Sequence, residues 1–199
     1  MPDLLTLYAS TQPDKLAVID DRGNGEVFSW TYAQLEAEAN RLANALAGLG
    51  VSAGEKVIWC GPNAPQVVAV MNATRKIGAV AVPLNYRLTR EEAQYIVVHS
   101  DAVAAFVDAE YAHLFAMPGG GRLGQLRQVV VYGGQVPDGM LSQEELVAGA
   151  PDGLPGGQEN ESGGATMIYT SGTTGKPKGA LRRSAADPAQ LGAMIQLIG

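Results

Sequence analysis

The residues best suited to chemistry lie in Thr170-Ser171-Gly172-Thr173-Thr174-Gly175-Lys176-Pro177-Lys178-Gly179, directly after the alternating run Thr166-Met167-Ile168-Tyr169. Glycines at 172, 175 and 179 allow positive φ angles and a close approach of backbone to ligand, so that consecutive N–H groups can point into one concavity. The hydroxyls of Thr170, Ser171, Thr173 and Thr174 add donors for phosphate oxygens, and Lys178 adds a full charge. From Ser162 to Ala186 there is no Asp or Glu, whereas Lys176, Lys178, Arg182 and Arg183 all fall there, which gives the stretch positive potential. Charge alone would suit a solvated basic turn; with glycines and hydroxyls added, the pattern converges on polyphosphate. The spacing is not that of the Walker loop, because Gly172 and Gly175 are too close and Pro177 stands where a hydroxyl residue should follow the lysine. Proline there also opposes an immediate helix, so the expected carrier is strand, loop, strand rather than a helix N-terminus.

An α/β fold must position this loop, with a largely parallel sheet flanked by helices. Thr31 and Gln34 have capping-box spacing, and Leu35, Ala39, Leu42, Leu46 and Leu49 recur on one helical face until Gly50 stops it. Lys56 to Cys60 reads as a buried strand and Gly61-Pro62-Asn63 as a turn and cap. Pro65 to Ile77 reads as a helix ending at Gly78, and Val80 to Pro83 as another strand. A second capping box, Thr89 with Glu92, opens a helix through His99, and the strand candidates Val103 to Val107 and Val129 to Tyr132 follow. Ser142 and Glu145 suggest a short helix to Ala148, and Pro151 to Gly164 reads as a linker or crossing loop. Asp187-Pro188 would start a helix toward Ile198, with Leu191, Met194, Ile195 and Ile198 on an apolar face. Alternation of strand and helix implies right-handed crossovers.

Composition narrows the class. With 199 residues, 46% hydrophobic and 17% charged, the chain can bury a real core, and the 25 glycines and 11 prolines punctuate it with turns. The formal charge of −6 disfavours a nonspecific nucleic-acid binder, and no apolar run reaches membrane-span length. The single Cys60 cannot form an internal disulfide; a cytoplasmic compartment fits, and a buried thiol is a better reading than a nucleophile, since neither His99 nor His113 carries a motif linking it to Cys60.

The run Tyr169 to Gly179 resembles the signature of the adenylate-forming (AMP-binding) superfamily, which includes acyl-CoA and aryl-CoA synthetases, peptide-synthetase adenylation domains and luciferases. Pro13-Asp14, Thr31-Tyr32, Arg41-Leu42-Ala43, Gly78-Ala79-Val80 and Pro83-Leu84-Asn85 are similar in order and spacing to the N-terminal region of a fatty acyl-CoA synthetase. The resemblance implies the first part of the large N-terminal domain, with residues 1–150 as an α/β subdomain, 151–164 as a loop and 165–199 as a phosphate-binding hairpin and the start of the next subdomain. It implies that Thr170, Ser171, Gly172, Thr173, Thr174 and Gly175 contact the phosphates of ATP, that Lys178 neutralises their charge catalytically, and that Lys176 faces solvent. ATP, Mg²⁺ and coenzyme A would be the cofactor and co-substrates, and a small carboxylic acid, fatty in the first instance, the substrate.

Leu181-Arg182-Arg183-Ser184 lacks the histidine common after this motif, so a typical member's acyl pocket is not carried over. The family's acidic Mg²⁺ residue, ribose aspartate, most of its acyl pocket and its mobile-domain lysine fall beyond the matching positions. The expectation is therefore a truncated piece that needs a downstream half and is inactive alone; a noncatalytic nucleotide-binding remnant, an aryl-CoA ligase and a peptide-synthetase domain remain as alternatives. The purified chain is expected to yield no AMP and pyrophosphate from ATP and an acid panel, and their appearance would refute that.

Overall fold

The computed structural model describes residues 3–21, 25–117, 121–156, 164–170 and 177–183. Its elements are α1 (Leu4–Thr11), β1 (Leu16–Asp21), β2 (Val27–Thr31), α2 (Tyr32–Gly48), β3 (Lys56–Cys60), α3 (Pro65–Lys76), β4 (Val80–Leu84) and α4 (Arg90–His99), followed by β5 (Ala102–Asp108) and a 3-10 helix (Ala109–Leu114). Then come β6 (Gln128–Tyr132), β7 (Leu141–Ser142), α5 (Gln143–Ala148), β8 (Ala165–Thr170) and β9 (Lys178–Arg183). The expected terminal helix from Asp187 lies outside the described residues.

Local signals decide most boundaries. Thr31 accepts from the Gln34 amide while Gln34 Oε1 accepts from the Thr31 amide, and Thr89 and Glu92 repeat the arrangement at α4. Leu35, Ala39, Leu42 and Leu46 are buried on one face of α2, and Gly50 takes φ +77°, the left-handed conformation that ends the helix. One expected cap is corrected: α3 is entered through Ala64, with no side-chain cap, rather than through Asn63. Proline at the first helical position gives up only an amide that has no helical partner, and its fixed φ favours the helix start without a side-chain cap.

The main sheet has the order β7-β6-β5-β3-β4-β8-β9. Every pairing from β7 through β8 is parallel, and β9 runs antiparallel along the edge. Handedness assigns the helices to faces. The step from β3 to β4 goes one way along the sheet and the step from β4 to β5 returns past β3, so right-handed crossovers put α3 and α4 on opposite faces. The two cores follow. Val57, Ala104, Phe106 and Val130 pack with α2, α3 and α5, while the alternate residues Ile58, Cys60, Val82, Ala105 and Val107 pack with α4 and the segment after the 3-10 helix.

Two features have no clear periodicity in the sequence. The short α1 buries only Leu5, and β1 and β2 pair antiparallel as a separate, largely exposed hairpin. What ties α1 down is Lys76, whose side chain is 2% exposed and whose Nζ donates to Asp3 Oδ2 at 3.0 Å, Thr6 Oγ1 at 2.9 Å and Glu36 Oε1 at 2.9 Å. Burial acts to raise the Asp3 carboxyl, but the Thr6 amide and the Lys76 ammonium outweigh it and hold the group below its ordinary value. The start of the 151–164 connection is also fastened: Asn44 Nδ2 donates to the carbonyls of Pro151 and Gly153, and Asn40 Nδ2 to that of Asp152, each at 2.9 Å.

Lys76→Met should cost about 3 kcal/mol in urea unfolding, because it strands carboxylates in a partly desolvated site. The depressed Asp3 group contributes stability above its unfolded pKa that is lost as pH falls through its folded pKa. The cost of Lys76→Met should therefore shrink on acidification below about pH 4. A variant as stable as the parent at neutral pH would show that the ammonium contributes nothing.

Candidate phosphate-binding hairpin

The candidate chemistry sits where β8 turns back into β9. β8 lies parallel to β4 through Val80↔Ala165 and Ala81↔Thr166. Thr170 is thus at the same end of the sheet as Leu84, Cys60, Asp108 and Tyr132, the carboxyl ends of the parallel strands. Open α/β sheets bind ligands at that end. The two expected strands are present: β8 and β9 pair antiparallel from Ala165↔Arg183 to Thr170↔Lys178.

Of the expected site residues, Thr170 and Lys178 are brought directly opposite each other, and both are exposed. Ser171, Gly172, Thr173, Thr174 and Gly175, like Lys176, lie outside the described residues. Because paired residues share a face, Thr166, Ile168 and Thr170 lie with Arg182, Ala180 and Lys178, so that one face of the hairpin carries hydroxyl, ammonium and guanidinium groups. The other face carries Met167 and Tyr169, which pack against the α4 core. Gly179 is opposite Tyr169, and a Cβ there would come within 3.1 Å of Met167 Sδ and of Tyr169 Cζ. The missing side chain leaves space for the Tyr169 ring.

Sequence reasoning missed two residues beneath this hairpin, Tyr95 and His99. His99 Nδ1 is 2.8 Å from the Tyr169 hydroxyl, and the Tyr95 hydroxyl donates to the Pro177 carbonyl at 3.4 Å. The three rings form a stack of contacts, Tyr95 to His99 at 5.3 Å between centroids and His99 to Tyr169 at 5.7 Å, edge-on. Burial pushes the Tyr169 phenol up, with Tyr95 and Asp101 acting in the same direction and a Ser100 hydrogen bond opposing them. The available signal was the i, i+4 spacing of Tyr95 and His99, which puts both on one helical face.

Other chemistry is disfavoured among the described residues. Cys60 is buried in β3, and burial, reinforced by Asp108, pushes its thiol up to about 12. No group of three or more His, Cys, Asp or Glu is arranged to hold a metal, and no helix is long and apolar enough to cross a membrane, among the described residues. An open groove of about 650 Å³ lies at the opposite, amino-terminal end of β3 and β5, lined by Glu55, Lys56, Asp101, Arg122 and Arg127. Arg127 is committed there to Glu55, at 2.9 Å, and to the Gly50 carbonyl, at 3.0 Å. Size does not outweigh placement: the groove is at the end of the strands remote from the hairpin turn.

Comparison with known proteins decides the family. The family model described as AMP-binding enzyme matches residues 5–189. The chain belongs to the AMP-binding enzyme family. It is 41% identical over 154 residues to a 3-hydroxybenzoate–CoA ligase of Aromatoleum sp. (strain CIB), covering 77% of this chain and 29% of that protein. Among solved structures it is similar to a fatty acyl CoA synthetase of Mycobacterium tuberculosis, with 27% identity, a TM-score of 0.75 and coverage of 90% of this chain and 33% of that one. An anthranilate CoA ligase crystallised with anthranoyl-AMP matches at 29% identity and a TM-score of 0.76, covering 90% of this chain and 34% of that one. The chain thus spans about a third of the length of the AMP-binding relatives it matches, and these relatives are CoA ligases.

The placement of Cys60 can be checked directly. A thiol reagent at pH 8 should label it only as fast as the chain unfolds, with rapid labelling once urea is added; fast labelling of the folded chain would contradict the buried, protonated thiol.

Proposed function

We propose that this segment supplies the ATP-phosphate grip of an AMP-forming acid–CoA ligase. The observation that carries the proposal is the register of the β8–β9 hairpin, which sets Thr170 against Lys178 at the carboxyl edge of the sheet in a chain of the AMP-binding family. In the proposed reaction a carboxylate oxygen attacks the α-phosphorus of ATP, the bond from that phosphorus to the bridging oxygen breaks, and pyrophosphate leaves. The sulfur of coenzyme A then attacks the acyl carbon, its proton is lost, and AMP departs with the former carboxylate oxygen. Thr170, Ser171, Thr173 and Thr174 serve the first half as hydroxyl donors, Gly172 and Gly175 permit the backbone to close on the phosphates, and Lys178 offsets the charge that builds on the departing pyrophosphate. Mg²⁺ supplies further charge neutralisation when it is bound with ATP. No carboxylate cluster among the described residues fits it. A cytoplasmic setting suits the one buried, unpaired thiol.

Two substrate classes are supported. A fatty acid is favoured by the motifs of the N-terminal region and by likeness to the mycobacterial fatty acyl CoA synthetase. An aromatic acid is favoured by the higher identity to the 3-hydroxybenzoate ligase. A panel of both acid types separates them.

In a polypeptide completed to the length of these relatives, Lys178→Ala should slow acid-dependent pyrophosphate exchange by roughly 100-fold, in the range of losses seen on removing one transition-state donor. The KM for the acid should change little. Exchange at the parent rate would refute the role of Lys178.

A further inference from the structure

Pairing with β4 extends only through Ala165 and Thr166, so the distal part of β8, which carries Tyr169 and Thr170, has no strand partner on that side among the described residues. Among the described residues its other supports are β9 and the α4 core. Tyr169 immediately precedes Thr170, and Pro177 immediately precedes Lys178. The same face of α4 reaches both: His99 meets Tyr169 at 2.8 Å, and Tyr95 meets the Pro177 carbonyl at 3.4 Å. The first contact is the stronger by distance, and the second reaches the residue just before β9.

We infer that His99 and Tyr95 are positioning residues which hold Thr170 and Lys178 in the arrangement that binds polyphosphate, with His99 acting through the Tyr169 hydroxyl. The inference rests on the phosphate-grip function proposed above. Neither side chain need touch the ligand. One helical turn braces both strands next to the pair, so loss of the brace lets Thr170 and Lys178 shift together or apart without unfolding the sheet. The same aromatic stack, without its hydrogen bonds, would leave packing intact and lose alignment.

Calorimetric titration of a polypeptide completed to the length of its relatives, with inorganic pyrophosphate and with ATP, tests this. Tyr169→Phe keeps the ring and removes the hydroxyl; His99→Leu removes the ring nitrogen; His99→Asn restores a polar atom near the position of Nδ1. Tyr169→Phe and His99→Leu should each weaken pyrophosphate binding by about tenfold, the upper end for loss of one hydrogen bond. Their Tm should stay within about 2 °C of the parent. His99→Asn should recover most of the affinity. Parent-like binding by Tyr169→Phe, or no recovery by His99→Asn, would overturn the positioning role while leaving the phosphate function standing. If His99→Leu fails to fold, Tyr169→Phe with His99→Asn decides the matter. A parent chain that binds neither probe would defeat the phosphate function, and the positioning role with it.

Discussion

An isolated two-stranded hairpin is marginal in water, so β8 and β9 cannot hold their relative geometry by their own pairing. Their geometry depends on being joined to a larger rigid body, and the join is narrow. Two residues of β8 pair with β4, Met167 and Tyr169 pack against the α4 core, and Gly164 at the entry lies against Arg75 of α3, where an added Cβ would come within 3.0 Å of the Arg75 backbone. The proposed chemistry at Thr170 and Lys178 is therefore only as well aligned as this seam between hairpin, sheet edge and helix.

The rest of the fold makes the seam possible. Reversal of strand order about β3 sends α4 to the face opposite α3, and that face is the one toward which Met167 and Tyr169 project. On the other face α2 fills the core with Leu35, Leu42 and Leu46 and also receives the carbonyls of Pro151, Asp152 and Gly153. Chain leaving α5 toward β8 is thus fastened before it enters the sheet edge. Lys76, at the end of α3, draws α1 and α2 together through Asp3, Thr6 and Glu36. The buried ion cluster fixes the relation of three helices rather than adding a catalytic group.

Much of this was legible in the residues, for reasons that differ by element. The stripe in α2, the two capping boxes and the apolar runs of β3, β5 and β6 each combine a strong local preference with burial, and their boundaries agree with expectation to within a residue or two. In contrast, α1 and the β1–β2 hairpin are stabilised by distant partners and bury few residues fully, so periodicity does not reveal them. Asn63 offered good cap chemistry, but Ala64 followed by Pro65 takes the position without it. At the candidate site, the residue types of the turn and the strand-loop-strand form could be read from Gly, Thr, Pro and Lys spacing. His99 and Tyr95 could not, since their relevance comes from a strand about 70 residues further along the chain being laid across their face.

In the proposed function, the β8–β9 turn receives polyphosphate at the carboxyl edge of the sheet. Amide chemical-shift mapping of the isotopically labelled chain during titration with ATP addresses it residue by residue. The expected result is a saturable set of shifts concentrated between Tyr169 and Gly179, with weaker effects along the adjoining turn of α4. Shifts confined to the groove around Lys56, Arg122 and Arg127, or none at millimolar nucleotide, would contradict it.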